Sequence, residues 1–358
     1  MNPNQANHPN TYTAKQVFIQ RAGIVLALTL TALLVLGLLG AAFDVLLLVL
    51  AATLIALPLR AGANWLSKKT GWKEGIALAI VAILTLALLV GMGWFMSYSI
   101  GGQIDQLKAM APRAIQNAEA HLRQTPFGEW LLENNVKPQR FLEGGSSRWL
   151  GKISGVVSTT LGSLANVYVI LFLAAFFAAE PNLYRQGIVL LVPKSGRKRA
   201  AEVLDQIGTT LRGWLMGKLF SMTVVGILTY VGLRLLGIPM AGALALFAGL
   251  ITFIPNFGPL LALLPAVLFA LLQGPQLALY VLLLYTSIQF IESNILTPLV
   301  QQRIISLPPA LVLIAQLIVG IFAGILGLAL ATPIVAIVLV LVKMLYVQDV
   351  LKDDSVKV

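Results

Sequence analysis

Long apolar runs, separated by short polar stretches, repeat along almost the whole chain. A helix needs about 20 apolar residues to cross a hydrocarbon core of roughly 30 Å while it satisfies every backbone group internally. Runs of this kind recur from Gly23 to Tyr346. The pattern therefore predicts an all-α polytopic membrane protein.

The apolar runs also place the individual membrane helices. We expect about eight transmembrane helices plus a re-entrant hairpin at 241–272 that proline and glycine interrupt. The first two runs follow each other so closely that they predict a retained helical hairpin with its turn near Asp44. The full spans are expected at 23–39, 43–59, 75–97, 154–178, 219–236, 277–296, 310–328 and 333–346.

The segment between the third and fourth helices is predicted to form a small domain. Residues 101–152 carry mixed charge, and their apolar positions recur every three or four residues, which is typical of amphipathic helices. We expect a small extracytoplasmic helical domain here. Residues 1–100 then comprise the N-terminal tail and the first three helices, and residues 153–358 form the transmembrane core with a cytoplasmic amphipathic segment at 181–218.

The amphipathic segment contains the basic stretch PKSGRKRAAE at 193–202 and continues with apolar residues along one side. This arrangement predicts a helix at the membrane surface, with basic side chains toward lipid headgroups and Trp214 at headgroup depth. Docking of a partner protein is the alternative. The apolar side comprises Val203, Leu204, Ile207, Leu211, Trp214 and Leu215.

Basic residues outnumber acidic ones, 25 to 14, which gives a net charge of +11. In a polytopic protein this excess indicates topology first, because Lys and Arg collect on the cytoplasmic side. The loop after residue 59 and the segment 180–218 are both rich in Lys and Arg. Both segments and both termini are therefore predicted to be cytoplasmic, and no nucleic-acid partner is expected.

The residues that enzymes and metal sites need are scarce. The chain has no cysteine and two histidines, His8 and His121, which argues against disulfides, thiolate ligands and a histidine metal centre. It has no HExxH, no P-loop, no GxSxG and no pair of membrane-embedded aspartates. We therefore predict no enzyme and no cofactor.

The stretch GLITFIPNFGPLLALLP at 249–265 interrupts an apolar run with Pro255, Gly258 and Pro259, and Asn256 lies at the break. In lipid, such a break is tolerated only where protein or a water-filled cavity covers the freed backbone groups. Secondary transporters form substrate and ion sites at interrupted helices. The break is therefore a candidate transport site, with a purely structural kink as the alternative.

Glu292 stands in the stretch QFIESNILTP at 289–298, directly after an apolar run. On a helix it shares one face with Tyr285, Gln289 and Ser293, and this polar stripe should turn away from lipid. A charge near a helix centre costs about 2.5 to 3.5 kcal/mol on insertion scales. Glu292 is therefore a candidate proton carrier, cation ligand or substrate contact; a structural pair with Arg303 or a hydrogen-bonded cap is the alternative.

Three spaced stretches resemble the AI-2E family of permeases, the autoinducer-2 exporter-like proteins: residues 249–275, 289–309 and 324–338. The order of elements is also similar over nearly the full chain. The family motif of a polar or acidic residue before an asparagine and a proline maps onto Glu292, Asn294 and Pro298. Some relatives carry an acid beside the proline, where this chain has Thr297.

The resemblance implies a bacterial inner-membrane permease with no cofactor that forms a homo-oligomer, with five subunits as the expected number. Our first hypothesis is a secondary transporter that exports a small polar solute such as autoinducer-2, a quorum-sensing signal. The second is a Na⁺(Li⁺)/H⁺ antiporter that uses Glu292, because one branch of the family is associated with that activity. The third is a non-transport scaffold that acts through the 101–152 domain.

Overall fold

The computed structural model describes residues 14–96, 98, 160–238, 240–298 and 307–353. These residues are almost entirely helical and contain no strand, which confirms the all-α class. Five helical segments among them are long and apolar enough to cross a membrane, or six if one bent pair forms a span. The helices are α1 (Ala14–Thr70), α2 (Glu74–Met96), α3 (Thr160–Ala179), α4 (Pro181–Leu190), α5 (Arg197–Leu235), α6 (Ala241–Ile251), α7 (Phe257–Gln273), α8 (Pro275–Ile291) and α9 (Pro309–Leu341). The predicted extracytoplasmic domain at 101–152 lies outside the described residues.

Helix α1 stands where the first hairpin was predicted. Its backbone is helical over all 57 residues from Ala14 to Thr70, with no turn at Asp44. Gly37 and Gly40 precede Asp44 without a proline, and a glycine can remain inside a helix at a cost of about 1 kcal/mol. The hairpin prediction is therefore wrong. The prediction that the N-terminus is cytoplasmic depended on that hairpin and is no longer supported by it.

The second half of α1 packs against α2 and α3 through small side chains, which let helix backbones approach closely. At the end of this contact Arg60 forms an ion pair with Glu74 and donates a 3.4 Å hydrogen bond to the carbonyl of Ala178. The loop after α1 and the end of α3 therefore lie side by side. The alanines of this contact are Ala52, Ala56, Ala63, Ala77, Ala174 and Ala178.

Helix α5 joins the predicted amphipathic segment to the span that follows, because its backbone is helical from Arg197 to Leu235. The apolar side faces protein. Val203 packs with Val340 and Met344 near the C-terminus, and Trp214 is 8% exposed, with its ring edge-on to that of Phe253 at 5.7 Å. Trp214 therefore contacts protein and not lipid, because periodicity identifies an apolar face without saying whether lipid or protein covers it.

Helices α5, α6, α7 and α8 share one hydrophobic cluster. Glycine lets α5 and α6 touch, since a Cβ on Gly249 would lie 3.0 Å from the Met222 carbonyl oxygen and 3.3 Å from the Gly226 Cα. The predicted broken pair is formed by α6 and α7, with residues 252–256 between them. A Cβ on Gly258 would collide with the Ile251 carbonyl, so the chain can turn this tightly only with glycine at that position.

Helix α9 reverses at Gly324, whose φ of 57° and ψ of −136° are not helical. Val319 and Gly327 are eight residues apart, which in a straight helix would separate them by about 12 Å. Here they touch, because a Cβ on Gly327 would collide with the Val319 carbonyl. The arms 309–323 (α9a) and 325–341 (α9b) therefore form a second hairpin. Two spans were expected at 310–328 and 333–346 with a turn between them; the turn lies earlier, at Gly324, and Pro333 lies buried within α9b.

Candidate functional site

Glu292 lies inside the protein and pairs with α5. Its Oε1 is 3.3 Å from Lys218 Nζ and accepts a 3.0 Å hydrogen bond from Ser221 Oγ. The side chains of Lys218 and Glu292 are only 12% and 8% exposed. The pair is neutral overall, which lowers the cost of carrying either charge into an apolar environment. The second carboxylate oxygen, Oε2, is buried and has no hydrogen-bond partner among the described residues.

A π turn at the end of α8 carries Glu292. Residues Glu292–Leu296 have π-helical geometry, and Thr297 Oγ1 donates a 2.9 Å hydrogen bond to the Glu292 carbonyl. Pro298 has no N–H and cannot donate to the Asn294 carbonyl four residues before it, so a regular helix cannot continue here. Single π turns occur frequently at functional sites, where they re-aim side chains.

The predicted polar stripe is only partly turned toward protein. Tyr285 is buried and Gln289 half-buried, whereas Asn294 and Pro298 are exposed. Gln289 Nε2 donates to Ser293 Oγ at 3.0 Å, and Asn294 Nδ2 donates to the Phe290 carbonyl at 2.9 Å. The structure thus brings Tyr285, Gln289 and Glu292 against neighbouring helices and leaves Asn294 and Pro298 on the outer surface.

Gln316 of α9a holds the break between α6 and α7. This fully buried amide accepts a 3.0 Å hydrogen bond from Asn256 Nδ2 and donates one of 2.8 Å to the Pro255 carbonyl. The same carbonyl also accepts a 2.7 Å hydrogen bond from the Phe257 N–H, so Gln316 is its second donor. Asn256 has a φ of 63° and a ψ of −50°, the conformation of the central residue of a γ-turn. Gln316 therefore links the two interrupted helices.

A small cavity lies beside the break, between α5, α6, α7 and α8. Its volume of about 20 Å³ has room for one or two water molecules. None of its lining residues is charged, and the polar ones are Thr229, Thr252, Tyr285 and Gln289. The remaining lining residues are Val225, Ala248, Pro259, Ala262 and Ile288. The cavity thus brings together three predicted site residues, Tyr285, Gln289 and Pro259.

The sequence prediction missed four residues of this region: Lys218, Ser221, Thr229 and Gln316. Gln316 could have been identified from the sequence, because it is the one amide in the apolar run 309–323. Lys218 and Glu292 are 74 residues apart, and no pattern along the chain pairs them. Thr229 gives no signal, since a threonine in a helix commonly bonds its own backbone.

Comparison with known proteins shows a match over most of the chain. The family model described as "AI-2E family transporter" matches residues 24–346. That range includes every helix of the candidate site.

Similar proteins occur in distant bacteria. "Putative transport protein YrrI" of Bacillus subtilis (strain 168) is 24% identical over 283 residues, which cover 76% of this chain and 80% of that protein. "Putative transport protein YueF" of the same organism is 24% identical over 281 residues, 74% of this chain and 76% of that protein. "Putative permease PerM" of Escherichia coli (strain K12) is 28% identical over 204 residues, 55% of this chain and 58% of that protein.

Proposed function

The chain belongs to the AI-2E transporter family, and from that premise we propose that it is a secondary transporter that carries a small polar solute through the cavity between α5, α6, α7 and α8. The observation that carries the proposal is the polar lining of this cavity at an interrupted helix within otherwise apolar helices. Secondary transporters form their sites at such breaks, where helix ends and free carbonyls meet the solute.

Autoinducer-2, a furanose-like molecule, is the solute we propose, moved outward. It is larger than the one or two water molecules that a 20 Å³ cavity accommodates. Transport therefore requires the α6–α7 pair to move relative to α5 and α8. We propose that this movement occurs where Gly249 of α6 meets Gly226 of α5, because no large side chains interlock at this contact.

Uptake of labelled autoinducer-2 into inverted vesicles tests this proposal. Vesicles that contain the protein should take up more solute than empty vesicles. Ala262→Val narrows the cavity and should reduce uptake. Ala266→Val is the control: it adds the same volume one turn later, at a buried position outside the cavity lining, and should leave uptake unchanged. Equal uptake by protein-containing and empty vesicles would exclude autoinducer-2 as the solute.

A Na⁺(Li⁺)/H⁺ antiporter is the second candidate function, and the unpaired, buried Oε2 of Glu292 favours it. A carboxylate oxygen shielded from solvent can exchange a proton for a small cation. In proteoliposomes Glu292→Gln should abolish Na⁺-dependent dequenching of a pH-sensitive dye, whereas Glu180→Gln, at an exposed position, should leave it intact. Wild-type behaviour of Glu292→Gln would remove this carboxylate as the coupling group.

We further propose that the protein resides in the bacterial inner membrane as a homo-oligomer. The apolar surface of α2 supports the proposal, because only 6% of its span is buried within this chain. Lipid and neighbouring subunits are both able to cover such a surface. Native mass spectrometry of the detergent-solubilised protein should give a pentamer, and a monomer in gentle detergent would contradict it.

A further inference from the structure

Two residues that line the cavity carry buried hydroxyl groups without a partner among the described residues. Thr229 is fully buried and Tyr285 is 7% exposed, and both line the cavity. Neither Thr229 Oγ1 nor Tyr285 OH has a hydrogen-bond partner among the described residues. Buried polar side chains in folded proteins are nearly always hydrogen-bonded, because an unpaired one lowers stability.

Thr229 differs in its hydrogen bonding from three other described threonines, although Thr332 of α9b also has no partner. Thr223 donates to the carbonyl four residues before it at 2.8 Å, Thr252 does so at 2.7 Å and Thr286 at 2.8 Å. Thr229 occupies the same kind of helical position and makes no such bond. Its hydroxyl is therefore free to bind something in the cavity, together with that of Tyr285.

The chemistry of two hydroxyls limits the ligand. Each hydroxyl donates one hydrogen bond and accepts others, so a group that accepts from one and donates to the other satisfies both. A cation takes only lone pairs and leaves both hydroxyl protons without an acceptor. The lining also offers no negative charge to balance a cation.

We propose that Thr229 and Tyr285 together bind one uncharged O–H group. The group is either a water molecule or a hydroxyl of the transported solute, and its size fits the cavity of about 20 Å³. The solute version rests on the proposed transport function, whereas the water version does not.

The sign of a stability change tests the proposal. Thr229→Val and Tyr285→Phe each remove one hydroxyl and leave the bound group with a missing bond. Each single variant should lower the Tm of the purified full-length protein by roughly 2–4 °C. The double variant should lose less than the sum, because both bonds to one group disappear together. If the hydroxyls bind nothing, each variant removes an unpaired polar group and raises the Tm additively, which overturns the proposal.

Matched substitutions calibrate these shifts. Thr223→Val is the same change on the same helix, at a hydroxyl that bonds only its own backbone. Tyr230→Phe is the same change beside Thr229, at a partly exposed ring. The Tm shift of Thr223→Val is subtracted from that of Thr229→Val, and the Tm shift of Tyr230→Phe from that of Tyr285→Phe.

Added solutes identify the source of the group. If erythritol raises the Tm of the wild type more than the Tm of the double variant, the bound group is a solute hydroxyl. Equal rises, with non-additivity retained, indicate water. If NaCl raises the Tm of the wild type more than choline chloride does, and the double variant shows no such difference, the ligand is a cation and the proposal is overturned. Absence of transport with the non-additivity intact contradicts only the proposed function.

Discussion

At the scale of single residues, the buried pair of Lys218 and Glu292 should make the protein sensitive to the loss of either partner alone. Removing one partner leaves a buried charge without compensation, so Lys218→Met should lower the free energy of unfolding by about 3–5 kcal/mol. The double variant Lys218→Met/Glu292→Gln should be more stable than Lys218→Met alone. Denaturation of the detergent-solubilised protein with SDS measures both.

The exposed pair of Arg185 and Asp205 provides the control for that experiment. Its side chains are 38% and 61% exposed, and exposed ion pairs contribute only about 0–1 kcal/mol. Asp205→Asn should therefore change the free energy of unfolding little. A loss as large as that of Lys218→Met would mean that the burial of Lys218 and Glu292 has no special effect.

Gln316 is expected to be the residue that joins the two hairpins. Gln316→Leu leaves the Asn256 amide without its partner, while the Pro255 carbonyl keeps the bond from the Phe257 N–H, and should cost about 1–3 kcal/mol. Gln276→Leu is the same substitution at an exposed amide that bonds Tyr280, where changes usually stay within about 0.5 kcal/mol. Thermal unfolding followed by tryptophan fluorescence compares the two, and equal shifts would contradict the role of Gln316.

At the scale of helices, the reversal in α9 depends on the backbone of Gly324. Its φ and ψ lie in a region open almost only to glycine, although no neighbouring atom lies within 4 Å of a Cβ placed there. Gly324→Ala should therefore destabilise the protein by about 1–3 kcal/mol through backbone strain alone. Gly208→Ala, inside α5 and equally unobstructed, should instead stabilise by up to about 1 kcal/mol. The same thermal unfolding measurement distinguishes the two signs.

Most helices could be predicted from the sequence because apolar length and interruption are local properties. The span predicted at 277–296 corresponds to Pro275–Leu296, and the glycine and proline breaks near Asn256 and Gly324 were found. Contacts between helices could not be predicted in this way. Lys218 meets Glu292, and Trp214 meets Phe253, across long separations that leave no mark along the chain. The site was therefore predicted where it depends on a break and missed where it depends on packing.

At the scale of the whole molecule, two basic regions and the segment that follows α9 lie at one end of the described helices. Arg60, in the last part of α1, bonds the end of α3, which leads through α4 to the basic start of α5. Arg199, near that start, donates to the Met344 carbonyl and pairs with Asp349 near the C-terminus. Since basic residues mark the cytoplasmic side, the first two regions should face the cytoplasm. The segment after α9 should lie with them, because Arg199 bonds it.

Single cysteines test this placement directly, because the chain has no cysteine of its own. Lys69→Cys, Lys198→Cys and Val350→Cys place one thiol in each of the three regions, at exposed positions. A membrane-impermeant maleimide should label all three in inverted vesicles and none in intact spheroplasts. Gly128→Cys, in the segment predicted to be extracytoplasmic, should show the opposite pattern. Labelling of Lys69→Cys or Lys198→Cys from outside would contradict the assigned orientation. Because Arg199 bonds the segment after α9, labelling of Lys198→Cys and Val350→Cys from opposite sides would contradict that contact.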